Sequence, residues 1–81
     1  MQEYGICDSG EGVATVQEAL EHFGYLNGGV DGNFGPGTEA AVERMQFDWG
    51  YPVTGTLVGE QFYVLVEGYH AELYGDGYYG D

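Results

Sequence analysis

Asp31, Asn33 and Gly35 alternate along one short stretch, in the way oxygen ligands alternate at the start of a calcium-binding EF-hand loop. The rest of such a loop is missing. Its sixth position requires glycine and here is Pro36; its twelfth requires a bidentate acid and here is Val42. Asp31 therefore reads as a turn-former. Zinc is excluded on similar grounds. His22, His70 and Cys7 are the only imidazoles and thiol, and no pair has a metal-ligand spacing. His22 reads as a solvated residue on a helix flank. Cys7, with no second cysteine to bridge to, reads as a small, partly buried hydrophobe. Hydrolysis needs two positioned carboxylates, or a nucleophile with a base. The carboxylates here are scattered over helix surfaces, and Ser9 is the sole serine. The chain is read as non-enzymatic and without a cofactor.

The elements that would position these residues follow from apolar spacing. Val13, Val16, Leu20 and Phe23 recur at three and four, which is one face of a first helix. Gly24 then takes the C′ position. Leu26 and Val30 are apolar anchors of the loop that follows. Asp31-Gly32 favours a tight turn. Phe34 is the one large apolar group of the loop and is expected to plug a core. Gly35 and Pro36 read as the cap and first residue of a second helix, because proline has no N–H to lose there. Glu39 in its first turn suits the helix dipole. This helix is expected over about Pro36 to Trp49, with Ala41, Val42, Met45 and Trp49 turned inward. Gly50-Tyr51-Pro52 breaks it, and Val53 to Leu57 forms a second turn. A third helix is expected from about Gly59 to Glu67, burying Phe62 and Leu65; Tyr69 to Tyr74 can extend a helix after Gly68.

The two halves read as degenerate repeats. Gln17 and Gln46 each follow an apolar residue, and both are expected as buried amides serving loop carbonyls. Asp31-Gly32 with Thr38 corresponds to Thr54-Gly55 with Gln61, and Phe34 corresponds to Leu57. Three segments result: an irregular arm at residues 1–11, a three-helix unit at 12–67 and a Tyr/Gly/Asp-rich tail at 68–81.

Fourteen acidic residues face one base, Arg44, for a formal charge of −13. Such a surface repels nucleic acid and anionic membranes and attracts basic partners. High-salt adaptation, a docking surface for a basic protein and imitation of nucleic acid are its competing explanations. No apolar run reaches the length of a membrane span. The first residues lack the basic and apolar regions of a secretory signal, so a cytoplasmic protein, a virion-associated one or a domain cut from a wall protein is expected.

The order Val16-Gln17, Gly24-Tyr25, Asp31-Gly32-x-Phe34-Gly35-x-x-Thr38, Ala41-Val42-x-x-Met45-Gln46 and Gly50-x-Pro52-Val53-Thr54-Gly55 resembles the type-1, three-helix peptidoglycan-binding domain. The resemblance runs from about Gly12 to Leu65. It implies an all-α, compact three-helix bundle with two similar turn loops. It also implies non-catalytic binding of peptidoglycan, through glycan strands or stem peptides, in a shallow groove beside the first turn loop and the second helix. The positions it marks are Tyr25, Asp31, Asn33, Phe34 and Thr38, with Arg44 and Trp49 as neighbours. The alternative expectation is a protein-interaction module, such as a phage virion structural or accessory protein, that engages virion subunits or a basic partner through the C-terminal tail.

Overall fold

A computed structural model describes residues 3–74. Its elements are β1 (Glu3–Tyr4), α1 (Glu11–His22), α2 (Pro36–Trp49), β2 (Leu57–Val58) and α3 (Gly59–Tyr74). The class is all-α, with three helices and one minimal antiparallel strand pair. α1 is the central helix and lies against both α2 and α3. Of the apolar face expected for α1, Val13, Val16 and Leu20 are fully buried, with Ala19 beside them, while Phe23 lies just past the helix end and is partly buried. Ala41, Val42 and Met45 meet them from α2, Leu65 from α3, and Phe34 and Leu57 from the two loops. Each fully buried aliphatic or aromatic side chain contributes about 1.5–3 kcal/mol of transfer free energy.

The first two helices end in the same way. In α1 the Gly24 N–H donates to Glu21 O and the Tyr25 N–H to Leu20 O; in α2 Gly50 donates to Phe47 O and Tyr51 to Gln46 O. This is the Schellman arrangement, in which a left-handed residue closes the last turn. Gly24 and Gly50 supply it, with φ of 88° and 82°.

Three expectations are corrected. The arm is not irregular throughout. Glu3 and Tyr4 pair with Val58 and Leu57, and Ser9 bridges to Asn33. The Gly10 N–H also donates to Gly32 O, and the Phe34 N–H to Asp8 O. The arm thus crosses both turn loops. Cys7 is exposed rather than half-buried. Its backbone is committed to a turn in which the Asp8 N–H donates to Gly5 O, while its own N–H donates to Phe34 O. Its φ of 78° lies in the left-handed region that non-glycine residues seldom adopt. Finally, the helical extension expected over Tyr69 to Tyr74 is present, and it joins the helix expected to Glu67 in one unbroken α3 through Gly68. Gly68 does not stop it, and the Phe23 ring lies where a Cβ on Gly68 would make ordinary contact. Two smaller differences go with these: Phe62 is only partly buried, against Tyr4, and Val30 is 37% exposed rather than anchored. The tail residues from Gly75 onward, and the partner contacts expected of them, lie outside the described residues.

Candidate functional site

The two turn loops are each built around a buried glutamine. Gln17, 1% exposed, projects from α1 beneath the first loop. Its Oε1 accepts the N–H groups of Asp31 and Gly32 at 3.1 and 2.9 Å. Its Nε2 donates to Asn33 O, Thr38 Oγ1 and Asp31 Oδ1. Gln46 repeats the pattern from α2. Its Oε1 accepts from the N–H groups of Thr54 and Gly55, and its Nε2 donates to Thr56 O, Gln61 Oε1 and Thr54 Oγ1. Each loop also closes on itself, with the Asn33 N–H donating to Asp31 Oδ1 and the Thr56 N–H to Thr54 Oγ1. The repeat correspondence read from the sequence therefore holds at the level of single atoms. Gly32 and Gly55 sit at the same step with φ of 78° and 80°, which a side chain would strain.

These bonds hold Asp31 as a carboxylate. The backbone N–H of Asn33, and then the Gln17 amide, keep its carboxyl below the ordinary value of 3.8. Among the described residues every buried side-chain polar atom is satisfied. The loops are thus fixed from within, and their outer sides are left for other contacts.

The loops differ in what covers them. Gly55 is overlain by the Glu39 and Glu43 side chains. Beside the first loop there is instead a cleft of about 390 Å³. Leu26 to Gly29 form one wall, Asp31 and Asn33 another, and Gly35 to Thr38 the third, with Gln17 at its base. The first turn of α2 on this wall has no side-chain cap.

A second cluster lies where α1 ends. Tyr25 and Trp49 meet edge to face with ring centroids 6.4 Å apart, and Phe23 meets Trp49 at 5.6 Å. The Tyr25 hydroxyl donates to Asp48 Oδ2 at 2.9 Å. Partial burial, and then this bond to a carboxylate, raise the Tyr25 pKa above its ordinary value. The Arg44 guanidinium stands 6.0 Å from the centre of the Tyr25 ring.

The seven residues marked from the sequence are therefore divided. Asp31 and Asn33 are exposed and line the cleft. Tyr25, Arg44 and Trp49 form the aromatic cluster. Phe34 and Thr38 lie behind the surface, 2% and 4% exposed. Phe34 fills the core, and Thr38 Oγ1 accepts from Gln17. Both hold the loop from beneath, and Thr38 also borders the cleft. Leu26 and Asn27 on the cleft wall, Asp48 beside Tyr25 and the outward Phe47 of α2 were not marked from the sequence. Phe47 left a usable signal: it is a large aromatic off the buried stripe of α2, and it is 74% exposed.

Helix order, paired glutamine-braced loops and an open cleft beside one of them define a three-helix binding domain. The chain belongs to the peptidoglycan binding domain family, whose model matches residues 9–64. The N-terminal domain of SleB has a solved structure that superposes with a TM-score of 0.79 at 35% identity, covering 84% of this chain and 93% of that one. A peptidoglycan-binding protein from Clostridioides difficile, solved in complex with glutamine hydroxamate, gives 0.77 at 28% identity over 84% of this chain and 42% of that one. Spore cortex-lytic enzymes of Bacillus cereus and Oceanobacillus iheyensis are each 39% identical, over 73% and 63% of this chain. The chain spans only 23% and 18% of their lengths.

Proposed function

We propose that this chain is a non-catalytic module that binds peptidoglycan in the cleft between the first turn loop and the start of α2. The observation that carries the reading is the contrast between the two loops: both are braced by a buried glutamine, yet only the first borders the cleft. Sugar hydroxyls and stem-peptide amides need fixed donors and acceptors. Asp31, Asn33 and Asn27 supply these on the walls, and the uncapped first turn of α2 adds backbone N–H groups. The Tyr25 and Trp49 rings offer apolar faces to C–H surfaces of the polymer beyond the cleft. Phe34 and Thr38 act from beneath by holding the loop.

The lytic relatives support a further part of the proposal: the module works attached to, or beside, an enzyme that cuts the wall. It holds such an enzyme at its insoluble substrate, where even weak binding raises the local concentration. The −13 charge sets a condition. An anionic wall polymer repels this surface, so binding should strengthen with salt up to about 0.15 M as repulsion is screened.

Sedimentation with insoluble peptidoglycan tests the reading. The protein is expected in the pellet at 0.15 M salt, and Asn33→Ala is expected to shift at least half of it to the supernatant. A wild-type protein that stays wholly in the supernatant would sink the reading.

A further inference from the structure

A second depression, of about 360 Å³, runs along α2 and is lined by Ala40, Glu43, Arg44, Phe47 and Asp48. It shares no residue with the loop cleft. Its members are spaced at three, four, seven and eight, so they form one face of α2 that lies away from the buried Ala41, Val42 and Met45. Two features of it are unexplained by folding. Phe47 is 74% exposed, although the core of α2 is complete without it. Arg44 is the sole Lys or Arg among fourteen acidic residues. Nevertheless, among the described residues it forms no ion pair and no side-chain hydrogen bond, and its guanidinium rests over the Tyr25 ring.

We propose that this groove binds the free end of a peptidoglycan stem peptide, taking the terminal carboxylate on Arg44 and a nearby side-chain ammonium on a flanking carboxylate, Glu43 or Asp48. The ligand class follows from the charges. A purely anionic ligand meets two carboxylates beside the one guanidinium, and the whole surface repels it. A purely cationic ligand leaves Arg44 opposed. A group carrying both charges satisfies Arg44 and a neighbouring carboxylate, and the planar guanidinium fork suits a carboxylate. Phe47 and Ala40 then give the aliphatic part of the terminal residue an apolar wall. Tyr25 holds Arg44 from behind by its ring face, and its hydroxyl orients Asp48. That the peptide comes from the wall rests on the function proposed above; the preference for a paired carboxylate and ammonium does not. The site is solvent-exposed, so affinity should be modest, with Kd on the order of 1 mM.

The test is an NMR titration of the isotopically labelled chain with the tripeptide L-Ala–γ-D-Glu–L-Lys. Two control peptides are used, one amidated at its C-terminal carboxyl and one acetylated on the lysine amine. The free tripeptide is expected to shift the amide signals of Ala40, Arg44 and Phe47, with each control binding about ten-fold more weakly. Arg44→Gln should remove the distinction between the free and amidated forms, and Arg44→Lys should keep part of it. Arg44 is exposed, so an unchanged amide spectrum outside the groove will show that the variants fold. Equal binding of the three peptides, shifts confined to residues 26–38, or no shift at 10 mM peptide would each overturn the proposal. Groove shifts with no retention on insoluble peptidoglycan would instead count against the wall-binding reading and leave the groove's charge preference standing.

Discussion

Gln17 and Gln46 show how two single side chains organise this molecule. Each places one amide under a loop of four residues and satisfies backbone groups that would otherwise be buried without partners. Burying a polar group without a partner costs about 1–3 kcal/mol. Gln17→Ala strands the N–H groups of Asp31 and Gly32 and leaves a cavity, so a loss of about 2–4 kcal/mol is expected. For a domain of this size that lowers Tm by more than about 8 °C. Gln17→Glu should be no rescue. A carboxylate can accept the two N–H groups, but it cannot donate to Asn33 O and it stands against the Asp31 carboxylate. Thermal unfolding of the two variants checks this; a Tm within 2 °C of wild type for either would refute the brace. At this scale much was legible. The glutamines, Asp31-Gly32 and Thr54-Gly55 sit at matching offsets, and a glutamine beside an apolar stripe has few reasons to be buried except to serve backbone. Among the outward residues of α2, Phe47 was legible as a large aromatic off the buried stripe. The part played by Asp48 was not, because it depends on Tyr25, which lies beyond the end of α1.

At the scale of elements, helix limits set by proline and by left-handed glycines were readable, because those residues act through their own backbone. Pro36 opens α2 and Gly50 closes it where expected. The arm was not readable. Its strand is two residues long, too short to show alternation, and its partners lie more than fifty positions away. The unbroken run of α3 through Gly68 was hidden for a related reason. Gly68 costs about 1 kcal/mol within a helix, and the packing of α3 against α1 offsets this. His22 adds a contact there, with Nε2 3.3 Å from Glu72 Oε1 and its ring against Tyr69. The arm gives a prediction at this scale. Removing residues 1–8 deletes the pairing of Tyr4 with Leu57 and the bonds of Cys7 and Asp8 to Phe34. Stability should fall by roughly 2 kcal/mol, given about 1 kcal/mol per hydrogen bond less compensation by water. Amide exchange at Phe34 should quicken at least ten-fold. Unchanged exchange at Phe34 would show that the arm does not hold the first loop.

At the scale of the whole molecule, the cleft proposed for binding lies beside the loop that Gln17 braces. Inward groups — Gln17, Phe34, Thr38 — fix the first loop, and outward groups — Asn27, Asp31, Asn33 — are left at the cleft. The second loop has the same inner brace, but Glu39 and Glu43 cover its glycine. This asymmetry gives the central claim a direct measurement: NMR shift mapping with a soluble glycan–peptide fragment of peptidoglycan. The largest amide shifts are predicted at residues 26–38, with smaller ones at Tyr25, Trp49 and the groove residues Ala40, Arg44 and Phe47, and none at Thr54 to Thr56. Shifts of equal size at both loops, or confined to α3, would contradict the assignment of wall binding to the first-loop cleft.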